Sequence, residues 1–209
     1  MSFQIRPATE ADIPEVHAIN THYVTNTVAT FLQNPAPLSS MFFKFRDFTD
    51  RGLPFLVAVD DVKSTGDTSE RQQTVIGYTY LSPFRGAMLS YAPTVELSLF
   101  VHKDYTSRGV GSALLSALLE KLQGGMVKHL AREHAGDLEY EVLAPDGGVP
   151  VRNVIACMAL DAVNGKEGGE GLRKWYEKRG FVERGRLKSV GCKKGRWIDT
   201  VYLQYIVPN

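Results

Sequence analysis

The alternation of hydrophobic and polar positions predicts strands and helices in turn along the first quarter of the chain. Residues 3–6 (FQIR) fit a short strand, and Thr9 is the expected N-cap of a helix over residues 11–24. A second helix is predicted over residues 38–50, and the apolar run PFLVAVD at residues 54–60 predicts the next strand. The chain therefore opens as strand, helix, helix, strand.

The middle of the chain pairs two strands and then returns to helical spacing. Strands are predicted at residues 74–81 (TVIGYTYL) and 94–101 (TVELSLFV), and the polar stretch 61–73 is expected to be a mobile hairpin loop. In residues 112–122 (SALLSALLEKL) the leucines recur every three or four positions. This segment is predicted to be a helix with one face packed on the sheet.

The last third predicts a buried strand, a helix and a terminal hairpin. Residues 124–150 lack clear periodicity and are interpreted as an insertion. A buried strand is expected at residues 153–160, a helix ends at Gly180, and residues 181–190 and 197–207 form the hairpin. The prediction is an α/β (α+β) fold with a mixed sheet flanked by helices, and residues 1–209 form a single domain.

Composition narrows the class of protein. The 209 residues are 44% hydrophobic and 22% charged with a net charge of +1, which disfavours nucleic acid and membrane surfaces as partners. Two cysteines, no apolar leader and no apolar run of roughly 20 residues lead us to expect a cytoplasmic protein. The five histidines show no metal-ligand spacing, so no metal is expected.

A glycine-containing turn between the second of the middle strands and the following helix is the first candidate for chemistry. In HKDYTSRGVGS, Gly109 and Gly111 allow the backbone to approach a ligand, and the helix N-terminus favours an anion such as a pyrophosphate. Ser107 and Ser112 can add hydroxyl donors and Arg108 a charge. A lone GxG also occurs in ordinary turns, and this segment matches neither a dinucleotide fingerprint nor a P-loop.

The run VELSLFVHKDYTSRGVGSALL resembles the central motif of the GNAT superfamily of acyl-CoA-dependent N-acetyltransferases. Residues 5–31, 77–96 and 176–204 resemble its phosphinothricin-acetyltransferase-like branch. The resemblance implies the GNAT fold, a mostly antiparallel sheet of about seven strands, and a homodimer.

The resemblance also implies where acetyl-CoA binds as co-substrate. Pantetheine is expected along the splayed end of the strand at residues 97–101, as an added strand would lie, and the pyrophosphate on residues 107–112. Thr106 departs from the superfamily pattern, which has Gln or Arg at this position. The cofactor-binding residues expected on this basis are Leu99, Phe100, Val101, Ser107, Arg108, Gly109, Val110, Gly111 and Ser112.

Two residues are expected to carry the catalysis. Glu96 lies in a strand that is otherwise mostly buried, and in the resembled branch this glutamate is the general base. Tyr176 matches the position from which an aromatic donor approaches the CoA sulfur. The alternatives are that Glu96 faces solvent or pairs with Arg85, and that Tyr176 is a half-buried helix residue.

The resembled branch further implies an acceptor pocket lined by Phe31, Arg85 and Tyr91. Its substrates are small amino acids and their analogues, of the phosphinothricin and methionine-sulfoximine type, and Arg85 can pair with an anionic group. A peptide, protein or polyamine acceptor on the same fold, and a CoA-binding sensor without catalysis, are the competing interpretations.

Two further positions carry alternatives. A covalent route through Cys157 is conceivable, but a cysteine in VIACMAL is more often a small core residue. Where the branch has an asparagine that contacts CoA, this chain has Gly169, and Asn164 is a candidate replacement from the preceding loop.

Overall fold

The computed structural model describes residues 2–62, 72–86, 88–134, 141–143 and 147–208. The helices and strands of the N-terminal part are β1 (Phe3–Pro7), α1 (Ile13–Asn26), α2 (Leu38–Asp50), β2 (Phe55–Val62), β3 (Gln72–Pro83), β4 (Thr94–Val101) and α3 (Val110–Leu122). Those that follow are β5 (Lys128–His129), β6 (Arg132–His134), β7 (Glu141–Leu143), β8 (Val149–Pro150), β9 (Asn153–Ala159), α4 (Glu170–Glu177), β10 (Val182–Lys193) and β11 (Arg196–Ile206).

Seven of these strands form one sheet in the order β1-β2-β3-β4-β9-β11-β10. All neighbours are antiparallel except β4 and β9, which run parallel. The predicted fold class, a mixed and mostly antiparallel sheet flanked by helices, is confirmed.

Each face of the sheet has its own hydrophobic core. The leucines of α3 pack with Val95 and Leu97 of β4 and with Val201 and Leu203 of β11 on one face, and Tyr176 of α4 belongs to the same cluster. The residues of the opposite core come from α1, α2, β2 and β3 and include Ile13, Val16, Phe45, Phe55, Tyr78 and Tyr80. The sheet is therefore the middle of three layers.

The entry to α1 is held by one buried ion pair. Thr9 donates its backbone N–H to the Asp12 carboxylate (2.7 Å), and Arg6 donates two hydrogen bonds to it (2.8 Å each). A single 3₁₀ turn, Glu10–Asp12, separates Thr9 from α1. The chain after Thr9 is therefore helical as predicted, but as a 3₁₀ turn first, and the α-helix begins only at Ile13.

The two predicted irregular segments differ in how much the structure describes. The segment predicted as a loop at 61–73 is strand at both ends, since Asp61 and Val62 pair with Gln73 and Gln72, and residues 63–71 lie outside the described residues. Within the insertion at 124–150, β5 pairs with β8 and β6 with β7, while residues 135–140 and 144–146 lie outside the described residues. The described part of the insertion thus forms two small antiparallel ladders, β5–β8 near its ends and β6–β7 nearer its centre.

Within the described residues, none of the helices combines the length and the apolar character that crossing a bilayer requires.

Candidate active site

An opening in the middle of the sheet separates β4 from β9. The two strands pair over three positions only, from Thr94 opposite Asn153 to Glu96 opposite Ile155. Beyond Glu96, β4 continues to Val101 paired with β3 alone. The splayed strand end expected from the sequence is present.

The backbone of β4 offers hydrogen-bonding groups to this opening. His102 donates its N–H to the carbonyl of Ile76 (2.8 Å) on the β3 side. Because alternate residues of a strand direct their backbone groups to opposite sides, Leu99 and Val101 direct theirs toward the opening, whereas Phe100 directs its own toward β3. The Val101 carbonyl accepts a hydrogen bond from the Tyr23 hydroxyl (2.7 Å). The N–H groups of Leu99 and Val101 therefore face the space between the strands.

The turn after β4 presents free N–H groups at the start of α3. Ser107 (φ 61°) and Gly109 (φ 84°) are left-handed, a conformation that glycine adopts without strain. The first backbone bond of the helix runs from Ala113 to Gly109, so the N–H groups of Val110, Gly111 and Ser112 have no partner within the helix. This turn has the geometry of an anion site.

Close packing brings α3 against β4 beside the opening. A Cβ on Gly111 would lie 3.4 Å from Val101 Cγ2 and 3.6 Å from Leu99 Cδ2. The anion turn and the strand end therefore belong to one compact unit.

Arg179 is a basic residue at this turn that sequence reasoning missed. Its guanidinium donates to the Ser112 hydroxyl (2.7 Å) and lies 3.9 Å from the centroid of the Trp175 ring. Arg108, by contrast, stacks on Tyr105 at 5.2 Å. Arg179 follows α4 in sequence, and only the docking of α4 against α3 shows that it adds positive charge at the anion turn.

Glu96 is half-buried at the edge of the opening. It shares the α1/α2 face of the sheet with Phe100, since both alternate with the buried Val95 and Leu97. Among the described residues no ion pair joins it to Arg85. Burial raises the pKa of the Glu96 carboxyl, as expected for a carboxylate without a countercharge.

Tyr176 lies on the other face, in the core beneath α4. Its side chain is 8% exposed and makes edge contacts with Trp175 and Phe181 at 4.9 and 5.1 Å between centroids. Burial raises the pKa of the Tyr176 hydroxyl well above its ordinary value, although the nearby Arg179 lowers it. The phenol therefore keeps its proton at neutral pH.

A cleft of about 400 Å³ lies on the Glu96 face, over the C-terminal strands. Its wall contains Phe31, which the sequence predicted, and seven residues that it did not. These are Cys157, Leu187, Val190, Gly191, Cys192, Thr200 and Tyr202. The negative charge of Glu96 contributes to raising the pKa values of Cys157 and Tyr202, which places the carboxylate beside this cleft.

A bulge in β10 forms one wall of the cleft. Leu187 pairs with Thr200 and Gly191 with Ile198, so three residues of β10 stand opposite one residue of β11. That residue, Asp199, holds the bulge by accepting hydrogen bonds from the Ser189 N–H (2.9 Å) and from Lys188 Nζ (2.7 Å).

The segment after α1 crosses the cleft and is tied to the same hairpin. The buried Lys193 donates to the carbonyl of Thr30 (2.6 Å), and Gln33 donates to the carbonyl of Cys192 (2.8 Å). Between these anchors Phe31 lies so close to Gly191 that an added Cβ would be 2.1 Å from its ring. Residues 30–33, which we call the strap, therefore form the second wall.

The two remaining predicted acceptor residues, Arg85 and Tyr91, do not line the wall of the cleft. Arg85 is exposed with a positive φ of 54°, and its charge acts on Tyr202. Tyr91 is 40% exposed and makes an edge contact with Phe84 at 5.4 Å between centroids. The structure thus brings Phe31 and Glu96 to one cleft, with the charge of Arg85 close enough to act on Tyr202, whereas Tyr91 packs on Phe84 and does not line the cleft.

Cys157 differs from the sequence expectation. It is exposed rather than buried in the core, because it alternates with the buried Ala156 and Met158 and faces the cleft. Packing around the thiol, together with the charge of Glu96, raises its pKa, so it is protonated at neutral pH. A protonated thiol is a poor nucleophile, which disfavours the covalent route.

Gly169 has a structural reason to replace the expected asparagine. It is buried with φ 90°, and a Cβ would lie 2.7 Å from Leu160 Cδ2. Asn164 is exposed, and its backbone N–H donates to Asp161 (3.0 Å).

Among the described residues, no group of three or more His, Cys, Asp or Glu side chains could hold a metal ion. A second cleft of about 390 Å³, between Thr49, Leu53, Lys121 and Met126, contains none of the residues singled out above.

A split central sheet, with an anion turn and a half-buried carboxylate beside the split, defines an acyltransferase of the acyl-CoA-binding type. Residues 19–135 match the Acetyltransferase (GNAT) family, and the chain belongs to that family.

Individual relatives cover nearly the whole chain. It is 30% identical over 96% of its length to a phosphinothricin N-acetyltransferase from Alcaligenes faecalis, covering 80% of that protein. It is also 30% identical over 98% of its length to an L-methionine sulfoximine/L-methionine sulfone acetyltransferase from Pseudomonas aeruginosa, covering 94% of it. A crystal structure of a phosphinothricin acetyltransferase from Sinorhizobium meliloti in complex with AcCoA superposes with a TM-score of 0.73 at 27% identity, covering 99% of this chain and 89% of that one.

Proposed function

We propose that this protein is an acetyl-CoA-dependent N-acetyltransferase that acetylates the primary amine of a small free amino acid or analogue, of the phosphinothricin or methionine-sulfoximine type. The observation that carries the proposal is the opening between β4 and β9, which has Glu96 at its edge and the anion turn at its end. The names of the relatives support the choice of acceptor.

Acetyl-CoA supplies a thioester carbonyl and a thiolate leaving group. The N–H groups of Val110, Gly111 and Ser112 bind its pyrophosphate, with Ser107, Arg108 and Gly109 shaping the turn. Leu99 and Val101 pair with pantetheine and donate to the carbonyl oxygen as it becomes negative. Phe100 supports the cofactor-binding strand from the α1/α2 face of the sheet, where its ring packs against that of Tyr23 with 5.1 Å between the ring centroids.

Glu96 removes the proton from the acceptor ammonium, directly or through water. The neutral amine nitrogen then attacks the carbonyl carbon, the C–N bond forms and the C–S bond breaks. Tyr176 donates a hydrogen bond, and then its proton, to the departing sulfur, and the second proton that the nitrogen releases as the amide forms restores the phenol. Because burial raises the pKa of the Tyr176 hydroxyl, the phenol is protonated throughout the physiological range but is a weaker acid than a free tyrosine, so its proton leaves only as charge builds up on the sulfur.

The acceptor lies in the cleft between the strap and the β10–β11 hairpin, with Phe31 against its side chain. Arg85 and Tyr91 contribute from outside the wall of the cleft, where the positive charge of Arg85 attracts an anionic group of the acceptor. A cleft of about 400 Å³ is large enough to hold a free amino acid.

We further propose that residues 1–209 act as one catalytic domain that forms a homodimer in the cytoplasm. In support of one domain, a single sheet takes strands from Phe3 to Ile206 of the chain. In support of a homodimer, Trp197 and Ile206 of β11 are exposed. Sedimentation at increasing protein concentration measures the oligomeric state.

The function is tested by measuring thiol release from acetyl-CoA over a panel of acceptors. The panel contains L-methionine sulfone, L-methionine sulfoximine, phosphinothricin, ordinary amino acids, spermidine and an alanine-initiated peptide. We expect the highest kcat/KM with a free amino acid or analogue. A preference for the peptide or for spermidine contradicts the acceptor class, and no release with any amine, despite acetyl-CoA binding, contradicts the enzymatic function.

A further inference from the structure

The hydroxyl of Thr200 lies buried in the wall of the cleft without a hydrogen-bond partner. Thr200 is 3% exposed, and its Oγ1 is one of three buried side-chain polar atoms in the described part of the chain that lack a partner. The other two belong to Thr21 and His129, neither of which lines this cleft. A buried hydroxyl without a hydrogen-bond partner is costly for the fold.

The surrounding strands explain why no protein group reaches this hydroxyl. The cross-strand neighbours of Thr200 are Ala159 on β9 and Leu187 on β10, and neither carries a polar side-chain atom. Tyr202, two positions along on the same face, stands opposite Cys157 of β9 and interacts with that thiol. The bulge held by Asp199 interrupts the pairing of β10 with β11 beyond Leu187, and Thr200 is among the residues that line the cleft beside it, with its hydroxyl below the surface of the wall.

The other side chains of the cleft wall limit the ligand group that can approach. Phe31, Leu187 and Val190 are apolar, and Cys157, Cys192 and Tyr202 are neutral when protonated. Of the residues that the structure describes, those lining the cleft include no charged side chain. Burying a charged side chain there is costly, whereas a neutral side chain with one hydrogen-bonding oxygen or nitrogen satisfies the hydroxyl.

We propose that Thr200 is a specificity-determining residue whose hydroxyl hydrogen-bonds to a neutral polar atom on the side chain of the acceptor. This inference rests on the proposed acetylation of a free amino acid. It adds that, among acceptors of one shape, the enzyme prefers the one with an oxygen or imino nitrogen opposite Thr200. An acceptor without such an atom leaves the hydroxyl unpaired in the complex and is therefore a poorer substrate.

The test compares L-methionine sulfone with L-methionine, which has the same carbon skeleton without the two oxygens. In Thr200→Val, which keeps the shape and removes the hydroxyl, we expect the ratio of kcat/KM for the sulfone to that for methionine to fall about 5- to 20-fold. Thr200→Ser, which keeps the hydroxyl, retains the ratio within about twofold. A purely structural role would change both acceptors alike, and an unchanged ratio in Thr200→Val overturns the proposal.

Two measurements separate this inference from the proposed function. With CoA present, methionine sulfone should raise the melting temperature of the wild type more than that of Thr200→Val, whether or not turnover occurs. If the wild type releases thiol with neither acceptor, the proposed function fails, and this shift alone decides the role of Thr200. Without ligand, Thr200→Val should melt at the wild-type temperature or above it. A lower melting temperature would show that the hydroxyl has a partner in the fold and would overturn the proposal.

Discussion

Glu96 shows how one residue can be costly for folding and useful for chemistry. Its carboxyl is half-buried without a countercharge, and its pKa is raised. A folded-state pKa above the unfolded value means that the ionised side chain opposes folding at neutral pH. The same shift brings a general base closer to the pH at which it must accept a proton.

We expect Glu96→Gln to lower kcat by about 10²- to 10⁴-fold while the affinity for acetyl-CoA is retained. In the wild type, kcat/KM should fall as the pH is lowered through an apparent pKa above the ordinary glutamate value of about 4.3. The variant should lose this acid limb. Thiol release measured across a pH series checks both effects.

Glu120→Gln, on the exposed face of α3, is the matched control and should keep the wild-type profile. Full turnover by Glu96→Gln, or an unchanged acid limb, would contradict the assignment of the base.

The predictable residues were those whose chemistry follows from local sequence. The strand carrying Glu96 and the turn with Gly109 are contiguous, so alternation and glycine placement made both candidates, and the resemblance to the GNAT superfamily supplied their roles. Arg179, Thr200 and Tyr202 could not be found in this way, because their partners come from elements far apart in the chain. For Thr200 and Tyr202, the alternation of buried and less buried residues along β11 shows which face of the sheet they share, but not which residues of other elements stand beside them.

At the scale of elements, the acceptor cleft depends on contact between the strap and the β10–β11 hairpin. Phe31 occupies the position that a side chain on residue 191 would need. Lys193 and Gln33 hold the strap by hydrogen bonds to backbone carbonyls on either side of this contact. The shape of the cleft is therefore set by a contact that tolerates no added atom.

We expect Gly191→Ala to displace Phe31 and to raise the KM for the acceptor amine by several-fold, with the KM for acetyl-CoA unchanged. The physical reason is that a Cβ 2.1 Å from the ring cannot be accommodated without moving the strap. Steady-state kinetics with each substrate varied in turn measures the two constants.

Gly185→Ala is the control on the same strand, since a Cβ there meets no heavy atom within 4 Å. Equal effects of the two substitutions, or a change confined to acetyl-CoA, would show that the strap contact does not shape the acceptor site.

Elements were predicted most accurately where a breaker or a regular period marked them. The bounds of α2 and β4 match the prediction to the residue, because a proline precedes the first and a clear alternation defines the second. The bulge in β10 was not predicted. Its cause is the reach of the Asp199 side chain to Lys188 and Ser189, which no local pattern in β10 reveals.

On the scale of the whole molecule, ligand binding and folding are linked through the central sheet. The proposed cofactor site takes β4 from one half of the sheet and, through Arg179, the segment after α4 from the other. A ligand that binds only the folded protein stabilises it by about 2.7 kcal/mol at a hundredfold excess over its Kd.

We therefore expect acetyl-CoA at that excess to raise the melting temperature by about 5–10 °C, given the usual scaling for a domain of this length. Glu96→Gln should show the same shift, since its part is in proton transfer. Thermal unfolding followed with and without acetyl-CoA measures it. Absence of a shift in the wild type would contradict acetyl-CoA binding, and a shift without turnover on any amine would favour the sensor over the enzyme.

The three-position pairing between β4 and β9 has an evolutionary consequence. Continued pairing beyond Glu96 would add hydrogen bonds and bury more backbone, so a more stable sheet lies within reach of a few substitutions. Such a sheet would close the space in which the cofactor is proposed to bind. Natural selection for activity must therefore have rejected this gain in stability, and laboratory selection for thermostability alone should favour variants in which the two strands close and activity is lost.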